Sequence, residues 1–164
     1  EDLNILKSRN SIYSKKKYCV LHFDEKWFKE QYIKEYSSIE PSENELKSFL
    51  SNLSKKINCD LIITTGIKKP FLLDKISSSL NENIKIKSKI NFLELEKIIY
   101  SAALLISCHG FVSHVASSSN IKQIDIIDKK SENDYKKVTK HFRNYTSIYR
   151  KKFSVLSSDI LNCL

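Results

Sequence analysis

The residue types with most chemical potential in this chain lie in one stretch, LLISCHGFVSHVASSSN, from Leu104 to Asn120. It holds two of the four histidines, His109 and His114, together with Cys108 and Gly110, one of only two glycines. Such a set suits a metal site, a nucleophile with its base, a phosphate cradle or an ordinary strand-to-helix turn. A Cys108–His109 nucleophile and base is disfavoured, because adjacent side chains at a strand end diverge. Cys108, His109 and His114 as metal ligands lack a fourth group at a sensible spacing, so no metal is expected. The segment after Gly110 favours the cradle. A helix starting there would aim unpaired backbone N–H groups at an anion, a phosphate or pyrophosphate, and its small side chains permit close approach. Val112, Val115 and Ala116 would pack inward, with Ser113 and His114 facing the ligand or the sheet edge. For His114, a core-edge histidine bonded to a backbone carbonyl is the plain alternative.

Such a cradle has to be positioned by strands. YCVLHF (18–23), DLIITTG (60–66), IKIK (84–87), LLIS (104–107) and QIDIID (123–128) read as five strands. Between them lie helical patterns. Leu46, Phe49, Leu50 and Leu53 recur at helical spacing after Pro41 and Ser42, with Glu45 completing a capping box. Residues 70–80 form a helix with Pro70 in its first turn, and 91–102 a helix capped by Asn91. Residues 131–164 read as helical with a break near 146–153, ending in the amphipathic turn SSDILNCL. The alternation predicts an α/β fold: a Rossmann-like, doubly wound parallel sheet of five to six strands with helices on both faces. Residues 1–17 read as a linker or an arm from a preceding domain, and 18–164 as the domain itself.

If the strand order is 3-2-1-4-5, ligands bind where that order reverses, between the loops after the first and fourth strands. Those loops, with the one after the second strand, bring together His22, Lys26, Trp27, Gly66, His109 and Gly110. Gly66 and Gly110 each directly follow a strand's carboxyl end, where a backbone turns tightly or approaches a ligand. A positive φ in the strand-to-helix turn is the alternative reason for both. Trp27 either covers the sheet edge or lines the crevice.

The composition narrows the function classes. The net charge is +9, with 41% hydrophobic and 29% charged residues. A charge of that size attracts anionic partners, yet only Arg9, Arg143 and Arg150 are arginine among 28 basic residues. Arginine dominates bidentate phosphate and base recognition, so a nucleic-acid reader is not expected. A Lys-rich surface over 129–152 docking on an anionic membrane is an alternative. The absence of G-x-G-x-x-G and of G-x-x-x-x-G-K-[ST] disfavours a dinucleotide oxidoreductase and a P-loop hydrolase. The four cysteines form no C-x-x-C pair. With no export signal in the sequence, free thiols and a cytoplasmic setting are expected.

The order of these features resembles the C-terminal, donor-binding half of GT-B glycosyltransferases, in particular the heptosyltransferase-type family of lipopolysaccharide synthesis. His22 with Lys26-Trp27, then Thr65-Gly66, then NFLELEKIIYSA and HGFVSHVAS, with His114 and Ala116 in its final positions, match the family's motifs over roughly 18–128. His109 stands where the family usually has Asp, the glycine is shifted by one position, and the loop after the first strand is acidic at Asp24-Glu25. The resemblance implies a nucleoside-diphosphate sugar as substrate, with no cofactor and no metal. It implies that Lys26 neutralises donor phosphate. Backbone N–H groups of His109, Gly110, Phe111, Val112 and Ser113 would meet the pyrophosphate, and His114 would orient the loop or touch the sugar phosphate. It also implies a separate N-terminal acceptor-binding domain. The chain alone is then expected to bind a nucleoside diphosphate weakly and transfer nothing, in the cytoplasm or on the inner face of the membrane. A non-catalytic nucleotide- or anion-binding module is the competing reading.

Overall fold

The computed structural model describes residues 18–28 and 34–164. The arm expected over 1–17 lies outside the described residues. Six strands, β1 (Tyr18–His22), β2 (Asp60–Thr64), β3 (Ile84–Lys87), β4 (Leu104–Cys108), β5 (Lys122–Ile127) and β6 (Tyr145–Tyr149), form one sheet. All neighbours are parallel and the order is β3-β2-β1-β4-β5-β6, so the direction of winding reverses between β1 and β4.

Side-chain alternation along the strands builds two cores, one per face. Leu21, Ile63, Ile106 and Ile126 point to one face with Trp27, Phe49 and Phe153. That face is covered by α1 (Glu43–Ile57), α2 (Phe71–Ile76) and α6 (Phe153–Asn162). Val20, Ile62 and Leu105 point to the other, against Leu95 and Ile99 of α3 (Phe92–Tyr100) and Val112 and Ala116 of α4 (Phe111–Ser119). Near-continuous apolar strands such as fully buried β1 and β4 are what a sheet covered on both faces requires. The arrangement is the expected Rossmann-like α/β fold.

Local signals set the helix ends. Ser42 and Asn91 both cap through complete capping boxes, with Glu45 and Glu94 as the reciprocal partners. Helices α1 and α4 stop at Asn58 and Asn120, whose φ angles of 50° and 55° lie in the left-handed region. Asparagine thus takes the capping positions that glycine fills in most chains.

In the C-terminal region, expected to be helical over 131–164 with a break near 146–153, a strand occupies the break. Helix α5 is short (Glu132–Val138), and Tyr145–Tyr149 pairs with β5 as the sixth strand. As an edge strand, partly exposed along its length, YTSIY carries no clean apolar alternation, although its aromatic and β-branched residues favour extended backbone.

Candidate functional site

In the sheet's register, His22 lies opposite Thr64 on one side and Ser107 on the other, with Asp125 beside Ser107. This polar row ends the strands at the switch point. A groove of about 1370 Å³ opens beyond it, lined among others by His22, Lys26, Gly66, His109, Gly110 and Phe111.

The loop after β1 is pinned from below and from behind. Trp27 is fully buried, stacked near Phe23 and Phe153, and its Nε1–H donates to the His22 carbonyl at 2.9 Å. Asp24 caps the short 3₁₀ turn Glu25–Trp27 by accepting from the Lys26 backbone N–H at 3.1 Å. The second Asp24 oxygen accepts from Lys26 Nζ at 2.7 Å. Arg150, just past β6, donates to the carbonyls of Lys26 and Ser37 at 2.6 and 3.0 Å. That buried guanidinium thereby ties the loop to the far edge of the sheet.

His22 is buried, with Nδ1 2.9 Å from the Thr64 hydroxyl and Nε2 3.6 Å from an Asp24 oxygen. The carboxylate beside Nε2 favours a proton there, leaving Nδ1 to accept from Thr64. Burial lowers its pKa to about 4; Asp24 opposes the shift and Lys26 adds to it. His22 is neutral at physiological pH.

Across the crevice, neither glycine has a positive φ, so backbone strain does not explain them. Close approach does. A Cβ on Gly110 would stand 2.7 Å from Lys26 Nζ, and one on Gly66 would stand 2.7 Å from a Glu25 carboxylate oxygen. Gly110 therefore lets the Lys26 ammonium rest against the head of α4. Of the backbone N–H groups expected to meet a pyrophosphate, three are engaged elsewhere. His109 donates to the Ile126 carbonyl at 3.0 Å, Gly110 to Ser113 Oγ at 3.3 Å, and Ser113 to the Gly110 carbonyl at 3.0 Å. Phe111 and Val112, the first two helical residues, carry N–H groups that no residue of the same helix can satisfy.

Asp125 is the residue that sequence reading missed. It is fully buried and accepts from His109 Nδ1–H at 2.5 Å, Ser113 Oγ–H at 2.8 Å and Tyr145 O–H at 3.0 Å. An acid in the middle of an otherwise apolar strand was its only signal. Arg150, the other omission, had none beyond being a rare arginine.

Several expected site residues lie away from the groove. Trp27 sits in the core beneath it, neither covering the sheet edge nor lining the crevice. Val112 packs in the α4 core, and Ser113 is sealed against Asp125. His114 is exposed and faces the rings of His109, His141 and Phe142 at 5.7, 6.4 and 5.0 Å. Partial burial, then the neighbouring His109 and His141, lower its pKa. Cys108 points into the opposite core from Val112, and burial pushes its thiol pKa up, which removes it as a nucleophile. Among the described residues no group of three or more His, Cys, Asp or Glu is arranged to hold a metal ion.

The groove's other wall is apolar. Ile67, Phe71, Phe92 and Phe111 line it while remaining largely exposed, and the Phe92 and Phe111 rings meet at 5.3 Å. A crevice with cations and a helix head on one wall and aromatic faces on the other can take a ligand that is anionic at one end and flat at the other.

Fold and site together define a parallel α/β protein with a groove at the topological switch point. No family model and no curated protein matches the sequence. Among solved structures, the chain is similar to the UDP-GlcNAc 2-epimerase of Methanocaldococcus jannaschii in complex with UDP-GlcNAc and UDP. The TM-score is 0.54 at 13% identity, over 96% of this chain and 41% of that one. It is also similar to the E. coli heptosyltransferase WaaC with ADP, with a TM-score of 0.52 at 9% identity, over 88% of this chain and 43% of that one. These likenesses are likenesses of fold, and the chain spans about two fifths of the length of each.

Proposed function

We propose that the groove binds the diphosphate of a nucleotide sugar, and that this chain is the donor-binding half of a GT-B glycosyltransferase of heptosyltransferase-like type. The observation that carries the reading is Lys26 Nζ lodged against Gly110, at the head of α4, at the switch point of the sheet. A side-chain cation and a helix N-terminus converge there on one small space, which suits a phosphate. Two fold neighbours with UDP-GlcNAc and UDP, or with ADP, are compatible with it. The Phe92–Phe111 pair offers the base an apolar face.

In transfer, the bond between the sugar's anomeric carbon and the diphosphate breaks as the acceptor hydroxyl oxygen bonds that carbon. The hydroxyl passes its proton to a base on the acceptor-binding domain. Negative charge grows on the departing nucleoside diphosphate, where Lys26 and the α4 dipole stabilise it. Asp24 already holds Lys26, so an incoming phosphate has to share or displace that carboxylate. Binding by the chain alone is therefore weak, and transfer needs an acceptor-binding domain. The acceptor is a cell-surface glycan or lipid-linked sugar, met at the cytoplasmic face of the membrane. Among the described residues no helix is long and apolar enough to cross a membrane.

Calorimetric titration with UDP, ADP and GDP tests the reading. Saturable binding is expected, weakened at least about tenfold in Lys26→Ala, the effect of losing one hydrogen bond to a charged group. Gly110→Val, whose Cβ displaces the ammonium, is expected to do the same. Nucleotide binding unchanged in both variants, or absent altogether, would sink it.

A further inference from the structure

The chain's two glycines make room for two consecutive side chains of opposite charge type. Gly110 seats the Lys26 ammonium, and Gly66 seats the carboxylate of Glu25, one residue earlier. All four residues line the groove. The 3₁₀ turn Glu25–Trp27 sends the two side chains to different walls. Asp24 caps the turn at its start, and the Phe28 N–H donates to the Glu25 carbonyl at 3.1 Å. Asp24 itself is buried and spent on the Lys26 backbone N–H and Nζ. Glu25 is different: it is exposed, and no described residue donates to its carboxylate.

A carboxylate only accepts, so it repels a phosphate and binds a hydroxyl. The groove is therefore polarised, with a cation and a helix head toward Gly110 and an acceptor toward Gly66. We infer that Glu25 sets which way round the ligand lies: it accepts hydrogen bonds from the ligand's hydroxyls and keeps phosphate off the Gly66 wall. The inference rests on the reading of the groove as a diphosphate site. Lys26 and α4 hold the phosphates, and Glu25 selects what is attached to them. The acidic loop that supplies it is a point where this chain departs from the family's motifs. A ribose and a transferred sugar both offer the chemistry required, neighbouring O–H donors for the two carboxylate oxygens. No covalent step is involved.

Calorimetric titration of wild type, Glu25→Ala and Gly66→Ala with inorganic pyrophosphate, UDP and UDP-GlcNAc tests this. Pyrophosphate, which has no sugar hydroxyl, should bind Glu25→Ala more tightly, by up to about fivefold at low salt. A hydroxyl-bearing ligand should bind it at least about tenfold more weakly. Loss of folded protein cannot move the two probes in opposite directions. In Gly66→Ala the new Cβ pushes the carboxylate oxygen from 2.7 Å, so both shifts should recur at smaller size. A loss confined to UDP-GlcNAc supports the inference with the transferred sugar as the source of the hydroxyls. A loss shared by UDP and absent for 2′,3′-dideoxy-UDP supports it with the ribose. A loss that dideoxy-UDP also suffers overturns hydroxyl recognition. UDP and UDP-GlcNAc binding unchanged in Glu25→Ala, or all probes weakened together, overturns the inference and leaves the groove reading standing. No binding of any probe to wild type overturns the groove reading itself.

Discussion

The loops after β1 and β4 each begin with a histidine at a strand's carboxyl end, and the two are held in opposite ways. His22 is enclosed by the core, its ring between the Thr64 hydroxyl and the Asp24 carboxylate, and burial outweighs that carboxylate and keeps it uncharged. His109 sits at the groove with a buried carboxylate behind it. One wall of the crevice is thus anchored by apolar packing through Trp27, the other by a polar network centred on Asp125. The same residue type at the ends of neighbouring strands acquires different surroundings: His22 is enclosed by apolar packing, and His109 is held by a hydrogen bond to the next strand.

Removing each anchor tests that contrast most severely. Trp27→Ala takes a fully buried indole from the core and frees the His22 carbonyl, and should cost up to about 5 kcal/mol in urea unfolding. Asp125→Ala leaves three donors without their acceptor and should cost about 3 kcal/mol, with the damage concentrated around α4 in hydrogen exchange. A smaller Trp27 effect than Asp125 effect would reverse the assignment of anchors.

The pH dependence of stability sharpens the comparison further. Between about pH 6.5 and about pH 4 the unfolded chain protonates its histidine while folded His22 does not. The unfolded state binds more protons there, so stability is full above that window and falls as pH drops through it, by up to about 1.4 kcal/mol per unit. Urea midpoints measured across that range should lose this slope in His22→Asn. A slope kept in His22→Asn assigns the acid sensitivity to another group. The smallest effect is expected from Tyr145→Phe, which removes one of the three donors to Asp125. It should cost about 1 kcal/mol in the same unfolding measurement and leave His109 paired.

Much of this frame was readable in advance, and the reasons are local. Strands β1, β2, β4 and β5 are short apolar runs between helical patterns, and the capping boxes at Ser42 and Asn91 act over three residues. Gly66 and Gly110 stood out because the chain has no other glycine, and of the reasons weighed for them a positive φ is not the one at work. Close approach of Lys26 and Glu25 is what they permit. The sixth strand was illegible because an edge strand half in water carries no clean apolar period.

The sequence by itself determined the order of the first five strands and the helices between them, the N-terminal ends of α1 and α3, and the loops that meet at the switch point. Apolar periodicity and capping are properties of neighbouring residues, so they survive without a fold. The tertiary structure alone decided that His109 would meet Asp125 sixteen residues on, that Arg150 would hold the Lys26 carbonyl from 124 residues away, and that Trp27 would face inward. Those contacts depend on parallel strands brought side by side by crossovers. No local pattern encodes which side chains end up adjacent across them.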